Sequence, residues 1–283
     1  MRELTQEELK KVELEILKDV ARFCDKNNIR YYLGGGTLLG AVRHQGFIPW
    51  DDDIDISMPR PDYERFFSTY NGSNNRYVAR AIETDSNYWR TFGKVFDSRT
   101  YLEERYIRVP KKLNAVFIDI FPIDGLPSSS IKRMLRGRTQ EFLTVLYRGS
   151  ACSYTFSHKY NDLGKSNSKL RNFMRSLLKF IAITFLRPLP TKSLIQLINY
   201  NAQRNDYESS DIIGAITECT HGARREFIQK NIFEPRRRFL FEGEQFWGPE
   251  GYEDYLRNLY GDYMSLPPKE KRITHHDFKA YFI

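Results

Sequence analysis

Two short stretches constrain this chain more than any others: Leu33-Gly34-Gly35-Gly36-Thr37, and then Pro49-Trp50-Asp51-Asp52-Asp53-Ile54-Asp55-Ile56. Tyr31-Tyr32-Leu33 reads as a short strand and the glycines as a turn. Thr37 to about His44 reads as a helix ended by Gly46 and Pro49, and Asp53 to Met58 as the next strand. Side chains alternate along a strand, so Asp53 and Asp55 share one face while Ile54 and Ile56 turn to the core. Two carboxylates so placed repel each other unless a divalent cation neutralises them, and magnesium prefers carboxylate together with phosphate oxygens. A glycine turn that opens a helix offers free N–H groups and the positive helix end to a phosphate. The Thr37 hydroxyl can cap the helix or bond an oxygen. No Gly-Lys-Ser/Thr follows, which excludes a Walker-type loop. The order strand, glycine turn, helix, loop, Asp-x-Asp strand points to phosphoryl or nucleotidyl transfer.

A third acid, Asp119, lies inside the apolar strand Val116-Phe117-Ile118-Asp119-Ile120-Phe121, which Pro122 is expected to stop. A carboxylate there is costly to bury without a cation, so Asp119 reads as a third metal ligand or as the base that takes an acceptor hydroxyl proton. Asp124, just beyond, reads as a loop cap. Near the C-terminus, His275-His276 could reach the site and touch phosphate. Glu242 could contact acceptor or donor, or close a structural hydrogen bond. Tyr252, Tyr255 and Tyr260 recur at helical spacing, which favours core packing over an aromatic cage for a quaternary ammonium.

Helices and strands alternate through residues 1–125, which predicts an α+β fold with a mixed sheet as the catalytic core. Thr5 and Glu8 form a capping box ahead of the apolar series Leu9, Val12, Ile16, Val20 and Phe23. Residues 126–237 carry mainly helical signals (Ile131 to about Tyr147, Leu170 to Leu186, Leu194 to Ala202) and read as an elaboration of that core. Residues 238–283 read as a segment packing back on it, with a helix from Pro249 stopped at Gly261.

The 41% hydrophobic and 28% charged composition excludes wholesale disorder. A net charge of +8 favours anionic partners. Nucleic acid is the weaker reading, because no helix-turn-helix, zinc-finger or RNP-type pattern accompanies the charge. Cys24, Cys152 and Cys219 are too far apart for zinc-ligand spacing, so no zinc is expected, and reduced thiols suit a reducing compartment. The N-terminus carries no apolar signal core, and the run Phe180 to Leu186 is short of a membrane span, which predicts a cytoplasmic protein. Leu170 to Leu186 is a basic amphipathic pattern. It reads first as a domain-covering helix and leaves open peripheral association with the inner face of the plasma membrane.

The runs Gly35–His44, Gly46–Asp55 and Phe117–Asp124, the late Phe241-Glu242-Gly243, and Tyr252–Leu256, Tyr260–Met264 and Pro267 together resemble the signature of the LicD family. The resemblance covers about residues 30–125 and 238–277 and is loose in between. It implies a nucleotidyltransferase-like fold and transfer of a phospho-alcohol, phosphocholine first, from a CDP-activated donor to a glycan or glycolipid hydroxyl with release of CMP. Position by position, it implies that Asp53, Asp55 and Asp119 hold Mg2+ or Mn2+. Gly35, Gly36 and Thr37 then lie beside the donor phosphates, with Arg43 and Lys94 near the diphosphate. A nucleotidyltransferase that adds NMP from an NTP shares the same acids and is the alternative. Oligomeric state, the alcohol and the acceptor sugar are not legible in the sequence.

Overall fold

The computed structural model describes residues 1–72, 75–104, 114–151, 181, 184–219, 222–272 and 278–283. Helix α1 (Gln6–Lys26) begins at the expected capping box. The Glu8 N–H donates to Thr5 Oγ1 (3.2 Å) and the Thr5 N–H to Glu8 Oε2 (2.9 Å), so two otherwise orphaned donors are satisfied. Its stripe of Leu9, Val12, Ile16, Leu17 and Val20 is buried against the main sheet.

That sheet runs β2 (Tyr32–Leu33), β3 (Asp55–Pro59), β7 (Phe117–Leu126), β5 (Gly93–Asp97), β4 (Tyr77–Arg80). Only β3 and β7 are parallel, and the other pairs on this path are antiparallel. A short strand β8 (Ile212–Gly214) pairs with the far end of β7 and is itself paired by β9 (Ile228–Gln229), so residues within 126–237 extend the sheet. Helix α3 (Arg60–Thr69) follows β3 directly with Pro61 in its first turn, and Phe66 meets Phe23 of α1 edge-on at 5.9 Å.

Strand β7 does not stop at Pro122. The Asp119 N–H donates to Ile54 O of the β3 segment (2.9 Å), and the two-residue alternation puts the Pro122 nitrogen on the opposite edge. There β5 has already ended, with Gly93 paired to Ile120. No ladder bond is lost, so the proline is tolerated in mid-strand.

Helix α4 (Ser130–Ala151) packs on α5 (Thr191–Ala202) through Leu143 and Tyr147 against Leu194, Ile195 and Ile198. Asn201 donates to Gln140 Oε1 at 2.7 Å between these two helices. A hairpin of β10 (Arg236–Phe241) and β11 (Glu244–Pro249), turned by Glu242 and Gly243, packs on β2 and on helix α2 (Gly35–His44). A one-turn helix α6 (Lys230–Phe233) precedes this hairpin, and α7 (Tyr252–Tyr260) follows it, ending at Gly261 (φ 73°). Strands β1 (Arg2–Glu3), β12 (Phe278–Phe282) and β6 (Thr100–Glu104) form a separate three-stranded sheet that ties the two ends of the chain together. Among the described residues no helix is long and apolar enough to cross a membrane. Residues 152–180 and 182–183 lie outside those described, and with them most of the expected helix from Leu170 and Cys152.

Candidate active site

Strand register assembles the centre of the site. Asp55 on β3 is directly opposite Asp119 on β7, which is opposite Lys94 on β5, which is opposite Arg80 on β4. Residues in register on adjacent strands point to the same face, so two acids and two bases form one row across four strands. Lys94 Nζ is 2.6 Å from Asp119 Oδ1 in a pair whose side chains are only 4% and 14% exposed. The same ammonium sits 3.1 Å over the Phe117 ring, which shields it further from water.

The glycine turn fits around the Asp55 end of the row. Helix α2 starts at Gly35, with Gly34 as an N-cap that has no side chain, so Thr37 lies inside the first turn and does not cap it. Its hydroxyl instead accepts the Asp55 N–H (2.8 Å), which ties the start of β3 to the start of α2. Gly35 adopts φ +43°, and a Cβ there would come within 3.0 Å of Asp55 Oδ2. At Gly36 a Cβ would come within 2.8 Å of Asp51 Oδ2. The turn is glycine because carboxylates approach the backbone from both sides. The Gly35 N–H donates to Tyr255 Oη at 3.4 Å. Tyr255 also packs edge-on to Phe233, and Tyr252 to Phe239, so these rings are core and not a cage.

Negative charge is concentrated here. Burial raises the Asp55 carboxyl well above its usual range, and Asp53, Asp119 and Asp51 push it further in that order, with Lys94 opposing. Asp53 precedes β3 instead of lying in it, yet it is the strongest charged neighbour of Asp55. Sequence reasoning missed Glu13. This α1 residue is 2% exposed, its Oε2 has no hydrogen-bond partner among the described residues, and burial followed by Asp53, Asp52 and Asp119 holds its carboxyl well up. The available signal was a glutamate on the apolar stripe of an amphipathic helix, next to Val12 and four residues after Leu9.

Other expected site residues are engaged elsewhere. Arg43 donates to Tyr263 O (2.8 Å) and to His44 Nε2 (2.9 Å), which anchors the C-terminal segment to α2. Glu242 accepts the Phe47 N–H (3.0 Å), so the contact it makes is the structural bond that closes the loop after α2. His275 and His276 lie outside the described residues. Asp124 is a strand residue and not a loop cap, 1% exposed and gripped by Arg60 through two bonds of 2.7 and 2.8 Å.

A buried carboxylate with no expected role, Glu226, ends a 3-10 turn (Ala223–Glu226) near Tyr255 and Tyr260. Burial pushes it from the usual 4.5 up to about 8. The folded protein therefore keeps a proton that the unfolded chain gives up above pH 4.5, and stability falls as pH rises through that window to about 8. Glu226→Gln is expected to flatten this decline. Urea melts at pH 6 and pH 9 should differ by a few kcal/mol less in the variant, at about 1.4 kcal/mol per unit of displaced pKa.

Among the described residues no three His, Cys, Asp or Glu side chains gather into a ready-made metal cage. The donor set of Asp53, Asp55 and Asp119 is oxygen only, and the glycine turn leaves open backbone beside Asp55 and Asp51. That suits a hard cation held by one or two carboxylates and completed by substrate phosphate.

A mixed sheet here aligns strand carboxylates beside a glycine-opened helix, an arrangement that can hold a cation and a phosphate together. Residues 28–143 match the family described as LicD/FKTN/FKRP, nucleotidyltransferase domain. Over 288 aligned residues, covering 100% of both chains, the protein is 32% identical to the lipopolysaccharide cholinephosphotransferase LicD of Haemophilus influenzae. The chain belongs to the LicD family. Shorter matches link it to the ribitol 5-phosphate transferase FKRP of Homo sapiens, 43% identical over 49 residues (16% of this chain, 10% of that one). An uncharacterized protein of Rickettsia typhi is 52% identical over 52 residues (18% and 17%).

Proposed function

We propose that this chain transfers phosphocholine from CDP-choline to a hydroxyl of a cell-surface glycan of lipopolysaccharide, teichoic acid or capsule type, on the cytoplasmic side, and releases CMP. The observation that carries the reading is the end-to-end relationship to an enzyme named for cholinephosphotransfer to lipopolysaccharide. The cross-strand row of Asp55, Asp119 and Lys94 supplies the chemistry that such a transfer needs.

Magnesium held by Asp53 and Asp55 would neutralise the donor diphosphate. The first-turn N–H groups of Gly36 and Thr37 receive phosphate oxygens at the positive end of α2. Thr37 fixes Asp55 through the 2.8 Å bond to its N–H. Asp119 accepts the proton of the acceptor hydroxyl as that oxygen bonds to the phosphorus bearing choline. Lys94, 2.6 Å from Asp119, holds that carboxylate in place and offers positive charge to the phosphoryl group in transfer. The bond from that phosphorus to the bridging oxygen breaks, and the electron pair leaves with CMP. Catalysis of this kind is mostly positioning and electrostatics.

The test is CMP release with magnesium and a glycan acceptor from CDP-choline, CDP-ethanolamine, CDP-glycerol and CDP-ribitol, with donor binding followed in parallel. Turnover of CDP-choline above the others is the expected result. Turnover of a different CDP-alcohol would replace the alcohol and keep the mechanism. Absence of magnesium-dependent binding to every CDP-alcohol, with pyrophosphate released from an NTP, would overturn the reading in favour of nucleotidyl transfer.

A further inference from the structure

Helix α4 has its polarity reversed on the outside. The face opposite its buried side carries Ile131, Met134, Leu135, Phe142 and Val145, which are 46–66% exposed. Their spacing of three, four or seven residues places them within one helical stripe. Phe185 (79% exposed) and, on α5, Leu197 (46%) add apolar surface on the neighbouring segments. Exposed apolar side chains aligned on one face of a helix mark interaction surfaces.

Among the described residues, the exposed charges on α4 and on the segment through α5 have one sign. Lys132 and Arg138 are exposed on α4, and Arg187, Lys192 and Arg204 on the segment through α5. Residues 184–204 contain no acid, and the one acid of α4, Glu141, is turned inward to accept the Ala223 N–H at 2.9 Å. A second copy of the chain fits poorly, because a two-fold interface would set these cations against themselves. An apolar stripe whose exposed charges on α4 and α5 are, among the described residues, cations matches the boundary between acyl chains and anionic headgroups.

We propose that the outer face of α4 is a docking surface for an anionic lipid membrane. Phe142, Val145 and Leu135 enter the acyl boundary, and Lys132 and Arg138 meet the headgroups. Docking would hold the enzyme where a lipid-linked acceptor resides. The surface itself is independent of the proposed transfer, since vesicle binding is read without turnover.

The experiment is flotation of the full chain with vesicles of phosphatidylcholine alone, or of equal parts phosphatidylcholine and phosphatidylglycerol. The protein is expected to float only with phosphatidylglycerol and to be released by salt. Leu135→Asp/Phe142→Asp should lower the bound fraction ~10-fold or more with an unchanged melting temperature, because both side chains are exposed. Phe142→Trp provides a second reading, a blue shift of emission on adding anionic vesicles. Failure of the wild type to float at low salt overturns the proposal. So does equal flotation of the double variant, or a Phe142→Trp spectrum indifferent to vesicles. Light scattering that shows an oligomer dissolved by the double variant, without vesicle binding, would reassign the face to self-association.

Discussion

Asp55→Asn is expected to abolish transfer and, in the same molecule, to raise the melting temperature of the metal-free protein. The first effect follows from position: Asp55 begins β3, lies opposite Asp119 in register, and is fixed by Thr37 under the glycine turn. Removing its charge takes away half of the proposed cation grip, and a loss of ~10³-fold in turnover is expected, the scale seen when one preorganised electrostatic partner is deleted. The second effect follows from the same crowding. Burial and then Asp53, Asp119 and Asp51 raise its carboxyl well above the usual 3.8, so the ionised form is disfavoured in the fold. Stability of the protein without metal therefore falls as pH rises from about 3.8 through the displaced value, and the neutral amide escapes this loss. The gain should appear as a higher melting temperature at neutral pH and should shrink in acid. Calorimetry in chelator and product formation with magnesium measure the two effects. A variant that keeps turnover within tenfold of wild type would remove Asp55 from the chemistry. One that loses activity and also stability would mean that Asp55 supports the fold and that the crowding is relieved in some other way.

The parts of this site that were legible in the sequence are those governed by local rules. Asp55 could be placed beside a glycine turn because a helix start is marked by its neighbours, whereas Asp53 lies ahead of β3 and not on the expected strand face. Thr5 and Glu8 announced the first helix for the same reason, and both bonds of the box are made. What depended on register could not be read. Lys94 and Asp119 are far apart in sequence and meet only because β5 and β7 pair with Lys94 opposite Asp119. For Glu13 the sequence offered only a glutamate on an apolar helical stripe, and the charges it faces become visible only with the sheet beneath. Pro122 misled in the opposite direction. Its cost depends on which edge its nitrogen faces and whether a strand continues there, and neither is encoded locally. The Thr37 hydroxyl has the Asp55 N–H as its partner and not its own helix, since α2 starts two residues earlier at Gly35.

Arg60→Met is expected to give a large loss of stability, and Asp124→Leu placed in the same chain should recover most of it. Arg60 follows β3 and Asp124 lies near the end of β7, where the register carries on from the Pro59–Ile123 pair. Their side chains are 8% and 1% exposed and share bonds of 2.7 and 2.8 Å, with Glu83 accepting a third bond from Arg60 at 3.0 Å. An ion pair so far from water gains little over an apolar pair of similar volume, but removing one member leaves the other charge buried and uncompensated. The single substitution should therefore cost about 3–5 kcal/mol, which is about 10 °C in a chain of this length. The double variant should return to within about 1–2 kcal/mol of wild type, and a double-mutant cycle from urea melts reads the coupling directly. Equal losses in the single and double variants would mean that packing, and not the stranded carboxylate, sets the cost. The pair also bears on function, because it fastens together the far ends of the two parallel strands that carry Asp55 and Asp119. If its role is confined to that fastening, Arg60→Met at low temperature should keep the turnover of its folded fraction, whereas Asp55→Asn should lose turnover at every temperature. The two variants thus separate the charge that holds the strands from the charge that acts between them.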